Sequence, residues 1–123
     1  MNLGKTTPPI ITGENPYRRF RIVLAQAGTA IPTVTNYLLN DLTYPPVTPT
    51  FARTGVGVYT ITVVGGFAGV VFASGLFNVA ALGLGLKVTK TSADVLTVAT
   101  FGAAGTPADY VGDLYLNVEV WPT

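Results

Sequence analysis

Apolar and polar residues alternate with a period of two over several short stretches of this chain, which is the signature of strands buried on one face. From Tyr17 to Gln26, Phe20, Ile22 and Leu24 share one face while Arg19, Arg21 and Val23 share the other, predicting a first strand. Val58–Val64 repeats the pattern, with Tyr59, Ile61 and Val63 opposite Thr60 and Thr62. Leu82, Leu84, Leu86 and Val88 alternate with Gly83, Gly85, Lys87 and Thr89, and the alternating glycines suggest that another backbone or sheet packs closely there. Val95–Phe101 is a further strand. In the last one, Leu114, Leu116, Val118 and Val120 form the inner face and Tyr115, Asn117, Glu119 and Trp121 the outer face. Short strands are also expected at 51–53, 70–72 and 76–79, the last two flanking Ser74-Gly75. Residues 34–42 read as a strand or a short helical turn.

The breaks are as informative as the runs. Ala27–Pro32, Thr54–Gly57, Gly65-Gly66, Ser92–Asp94 and Gly102–Gly112 carry turn chemistry. Pro45, Pro46 and Pro49 exclude a central strand between Thr43 and Thr50. Turn signals recur at roughly the 8–12-residue spacing of sandwiches and barrels. The predicted fold is all-β: an antiparallel, jelly-roll-like β-sandwich of about seven to eight strands over residues 17–123. Residues 1–16, punctuated by Pro8, Pro9 and Pro16, are expected to form an extended N-terminal arm, either frayed or docked on a neighbour. No apolar h-region follows Met1-Asn-Leu-Gly-Lys5, so no secretory signal is expected.

One segment complicates this picture. No charged residue occurs from Thr54 to Leu86, and the stretch 63–86 is long enough to span a bilayer. Six glycines and Asn78 within it weaken a helix, each glycine by up to about 1 kcal/mol relative to alanine. Strands buried in a β core also read as continuous apolar runs. The strand reading is therefore preferred, with a small membrane-active protein as the lesser alternative.

Composition narrows the function. With 123 residues the chain holds one core. Only 11% of residues are charged, against about 25% in ordinary soluble domains. So few charges protect a monomer poorly against association, which implies that part of the surface is covered by other subunits. The net charge of +1 gives little steering toward nucleic acid. There is no His and no Cys, and the six carboxylates Glu14, Asp41, Asp94, Asp109, Asp113 and Glu119 are scattered singly. Most enzyme sites need those groups, so a non-enzymatic protein without cofactor or metal is expected.

Each constellation that survives has a modest chemistry. Tyr17-Arg-Arg-Phe-Arg21 is the one basic cluster, and Arg18, Arg19 and Arg21 suit either an acidic partner surface or protection of an edge strand. Three arginines are too few for a nucleic-acid footprint. Asp109 and Asp113 could approach Ca²⁺ in a glycine-containing loop, but the ligand number falls well short, and satisfaction of local backbone N–H groups is the better account. Gly83-Leu-Gly85 lacks the rest of a nucleotide-binding loop, and Ser74 and Ser92 have no histidine to activate them. Tyr115 and Trp121 on an outer face beside few charges resemble the centre of an interface, and with Phe20 they are the expected anchors. The same aromatics would also serve a carbohydrate-binding module.

The run Phe20-Arg-Ile-Val-Leu-Ala-Gln-Ala-Gly-Thr29, with Pro32 and Tyr37-Leu-Leu-Asn-Asp-Leu42, resembles the opening of small β-sandwich virion proteins of tailed bacteriophages. Ala27 stands where that family usually has Ser. The similarity continues through Gly57-Val-Tyr59, Gly66-Phe67, Asp94-Val-Leu-Thr-Val98 and Asp113-Leu-Tyr-Leu-Asn-Val-Glu-Val-Trp121, and so covers most of residues 20–121. It implies a capsid decoration or head-fibre subunit located in the virion. Such a subunit would be homo-oligomeric, as a trimer or on a symmetric lattice, and partnered by other virion proteins such as the major capsid protein. No catalytic residue comes with the resemblance.

Overall fold

The computed structural model describes residues 17–78 and 84–121, and the expected N-terminal arm lies outside them. Eight strands are present: β1 (Arg18–Ala27), β2 (Thr33–Asn40), β3 (Thr50–Gly55), β4 (Val58–Thr62), β5 (Val70–Asn78), β6 (Gly85–Lys90), β7 (Val95–Phe101) and β8 (Val111–Trp121). They form two four-stranded antiparallel sheets packed as a sandwich, in the orders β2-β1-β8-β5 and β3-β4-β7-β6. The expected all-β sandwich is thus the fold of the chain.

The period-two pattern produces the core directly. Phe20, Ile22 and Leu24 of β1 and Leu114, Leu116, Val118 and Val120 of β8 point inward from the first sheet. They meet Tyr59 and Ile61 of β4 and Leu96 and Val98 of β7 from the second. These are the central strands. Edge strands β2, β3, β5 and β6 contribute Val34, Phe51, Val71, Phe77, Leu86 and Val88, which are only partly buried because each edge has one neighbour instead of two. A row of small uncharged residues crosses the outer face of the second sheet. Thr60 pairs with Thr97 and Ala52, and Thr97 pairs with Thr89. Threonine suits a pleated, half-exposed surface, which explains how the chain covers a sheet with so few charges.

Two open readings close and two expectations change. Of the segment 34–42, residues 34–40 lie in strand β2 and no helical turn forms. The two short strands around Ser74-Gly75 are one continuous strand, β5, whose pairing with β8 runs unbroken from Val70 to Asn78. The uncharged segment 63–86 is therefore turn and strand in its described parts, and no described helix is long and apolar enough to cross a membrane. The close approach expected at Gly85 is absent: a Cβ there would meet Phe101 Cβ at an ordinary 3.6 Å. It occurs instead at Gly75, where a Cβ would lie 2.6 Å from Leu86 Cδ2 of the facing sheet. Gly83 and Leu82 lie outside the described residues.

Gly57 shows the tightest requirement for glycine. Its φ is +65°, and a Cβ would sit 2.5 Å from the Thr100 carbonyl oxygen and 2.7 Å from that of Ala108. Both atoms are backbone and cannot swing away. Gly57→Ala is expected to cost at least about 2 kcal/mol, from the left-handed backbone and the clash together. Urea unfolding of the purified variant measures it.

Candidate functional site

Two polar clasps close the ends of the sandwich, and a mixed apolar and polar face lies between them. The first clasp is built on Asp109, in the loop that leads from β7 into β8. Its Oδ1 accepts hydrogen bonds from Tyr59 Oη at 2.6 Å, from the Gly57 amide at 2.9 Å and from Arg53 Nε at 3.1 Å. Its Oδ2 accepts from Arg53 Nη2 at 2.7 Å. The Arg53 guanidinium, with Tyr59 and the Gly57 amide in support, holds the Asp109 carboxyl well below the usual carboxylate range against the opposing pull of burial. Burial and the bond to Asp109 push the Tyr59 hydroxyl up. Tyr110, next along the chain, donates from its hydroxyl to the Leu24 carbonyl at 2.8 Å and packs edge-on against Tyr59 and Phe77. The loop is thereby tied to both sheets.

This geometry answers the sequence-based question about Asp109. Its partners are distant in sequence, not the local amides of a turn, and every oxygen is engaged by a protein donor. Asp113 does not join it; it sits on β8 between Ala25 and Asn78. Among the described residues no group of three or more His, Cys, Asp or Glu side chains comes together. Asp109 is a structural carboxylate.

At the opposite end Arg18 donates to the carbonyls of Leu42 at 2.8 Å, Ala68 at 2.5 Å and Gly65 at 3.4 Å. These belong to the β2–β3 and β4–β5 connections, so Arg18 ties both sheets together. Asp94 Oδ1 accepts from the Gly65 amide at 2.7 Å, and Lys90 Nζ donates to the Gly69 carbonyl at 2.8 Å, completing this end.

The outer face of the first sheet carries most of the remaining candidates. Register aligns its side chains in rows: Val70 beside Trp121; Phe72 beside Glu119 and then Arg19; Ser74 beside Asn117 and then Arg21; Leu76 beside Tyr115 and then Val23. Trp121 stacks on Tyr17 with ring centroids 4.3 Å apart, and the Arg19 guanidinium lies over the Tyr17 ring, 5.6 Å from its centroid. Arg21 Nε donates to Asn117 Oδ1 at 3.0 Å. Trp121 is 41% exposed, Phe72 58% and Leu76 71%. A shallow open depression of about 200 Å³ lies among Phe72, Ala73, Ser74, Asn117 and Glu119. That is below the roughly 300–1,000 Å³ of ordinary small-molecule pockets.

The outward placement of Tyr115 and Trp121 agrees with the sequence pattern. Phe20 does not belong with them. It is fully buried in the core, on the inward face of β1, and has no surface to offer a partner. Edge protection by the arginines is also excluded, because β1 lies between β2 and β8. Phe72 and Leu76 were missed by pattern reading, since the uncharged run hid which residues of β5 face outward. Their period-two spacing with Val70 was the available signal.

Compared with protein-family models, with curated proteins and with solved structures, the chain gives no match.

Proposed function

We propose that this chain is a non-enzymatic structural subunit that self-associates, of the capsid decoration or head-fibre type in a bacteriophage particle. One observation carries the reading: the outer face of the first sheet presents Val70, Phe72, Leu76 and Trp121 to solvent with half-buried Tyr115, in two apolar groups on either side of the Ser74–Asn117–Arg21 row. Exposed apolar side chains gathered on one face of a small domain mark an interaction surface, and aromatic side chains are enriched at the centres of such surfaces. The absence of His and Cys from the chain and the engagement of both Asp109 oxygens by protein donors support the non-enzymatic part of the reading.

The resemblance to phage virion proteins supports the type of subunit through the fold. Gly57, Tyr59 and the inward residues of β8, which carry part of that resemblance, do folding work here: Gly57 packs on two carbonyls, and Tyr59 holds Asp109.

Size-exclusion chromatography with light scattering in detergent-free buffer tests the self-association, with a discrete oligomer expected and a monomer overturning it. Trp121→Ala removes the largest exposed ring and is expected to weaken packing on this face at least about tenfold. Its thermal unfolding should scarcely change, because the ring is outside the core. Mass spectrometry of purified particles from the source culture tests the virion assignment.

A further inference from the structure

The four sheet edges are not alike. On β3, Arg53 points inward, the pairing with β4 is irregular between Arg53 and Gly55, and Pro49 precedes the strand. On β6, Lys87 and Lys90 carry charge, with Lys90 on the inward face opposite Leu96. On β2, the pairing with β1 is broken twice, between Arg21/Ile22 and between Val23/Leu24, and Pro32 precedes the strand. Charges, prolines and bulges are the devices by which edge strands avoid pairing with other chains. Strand β5 has none of them. Its nine residues, Val-Val-Phe-Ala-Ser-Gly-Leu-Phe-Asn, contain no charge and no proline, and its register with β8 is unbroken. No described strand pairs with its other side.

We infer that β5 is an assembly edge, and that its occupant is β5 of a second copy, paired antiparallel about a twofold axis at Ser74 to give one continuous eight-stranded sheet. This rests on the reading of the chain as a self-associating subunit and names the surface and the symmetry.

The strand is self-complementary in that register. On the outer face Ser74 meets Ser74 of the second copy, and Phe72 meets Leu76 of the second copy on each side of the axis. The two most exposed large apolar side chains of the strand thereby cover each other. On the inner face Ala73 meets Gly75 of the second copy and Val71 meets Phe77 of the second copy. The rows behind the seam bring Glu119 beside Phe72 and Tyr115 beside Leu76, so no like charges meet across it. An isologous contact of this kind closes on itself. If the outer face adds a threefold contact, the closed assembly is a hexamer with both symmetries.

The chain contains no cysteine, which makes the test clean. Residues directly opposite in an antiparallel pair have Cα atoms about 4.5–5.5 Å apart, within reach of a disulfide. Ser74→Cys is expected to form a disulfide-linked dimer under mild oxidation of the full chain. Phe72→Cys is expected not to, since its two copies would lie roughly 13 Å apart along the seam. Phe72→Cys combined with Leu76→Cys restores crosslinking. Leu76→Lys supplies the missing charge and is expected to raise the dimer dissociation constant at least about tenfold by light scattering, with an unchanged β circular-dichroism signal. In Trp121→Ala, Ser74→Cys crosslinking should persist, because Trp121 lies one strand back from the seam beside Val70, four residues along from Ser74. A trimer without Ser74→Cys crosslinking overturns the edge pairing and leaves self-association standing. A monomer at every concentration overturns both. Crosslinking through Phe72→Cys alone overturns the register.

Discussion

Replacing Asp109 with alanine is expected to destabilise the fold by about 2–4 kcal/mol, because it strips the acceptor from two buried donors at once. The Tyr59 hydroxyl and the Gly57 amide belong to buried residues, and both donate to the same carboxylate oxygen. The ion pair with Arg53 is left out of that figure, since solvent reaches both side chains and exposed pairs contribute little. The structural consequence extends beyond the lost bonds. Asp109 anchors the loop that carries Tyr110, and Tyr110 closes the core beside Leu24 and Phe77. Asp109→Asn keeps an acceptor oxygen and is expected to be milder. Chemical denaturation of the three chains measures the series.

The same carboxylate predicts an acid limb of stability. Its partners hold the folded-state pKa well below the unfolded value near 3.9. The unfolded chain therefore binds a proton more readily, so lowering the pH favours unfolding. The contribution is complete above about pH 5 and is lost as the pH falls through the folded-state value. Asp109→Asn should remove most of this slope; an unchanged acid limb would show that another carboxylate governs it.

Phe20→Ala is expected to cost about 3–5 kcal/mol, as for any large aromatic removed from a packed core. Phe20 has no exposed surface and pairs in register with Val118 on β8 and Asn40 on β2, at the centre of the first sheet. The loss should be independent of protein concentration, because it belongs to the folded chain and not to its assembly. Trp121→Ala should behave in the opposite way, with little change in unfolding and a clear change in association. Thermal scans over a range of protein concentrations separate the two. A concentration-dependent loss for Phe20→Ala would return it to the interface.

The contrast between these two aromatics shows what could be read from the chain. Alternation placed Phe20 on one face of β1 and Trp121 on one face of β8, and both assignments of face hold. It did not say which face of β1 was inward once three arginines were seen as a partner-facing cluster. Arg18 settles that only in three dimensions, by reaching the carbonyls of two connections more than twenty residues away. Asp109 is similar. Its loop was legible as turn chemistry, but its partners Arg53, Gly57 and Tyr59 lie fifty or more residues upstream, and no local pattern encodes that meeting.

The sequence by itself determined the all-β class, the approximate strands, the alternating faces of the central strands and the poverty of catalytic groups. Those follow from side-chain period and composition, which are local properties of the chain. Strand order, the identity of the edges and the two end clasps were decided only by the tertiary structure. Antiparallel strands with similar apolar faces can pair in many orders of nearly equal local merit. What selects among them is the joint burial of both sheets and the satisfaction of long-range polar partners such as Arg18 and Asp109. The unguarded edge of β5 is a product of that selection: the same nine residues in a central strand would leave no backbone edge unpaired.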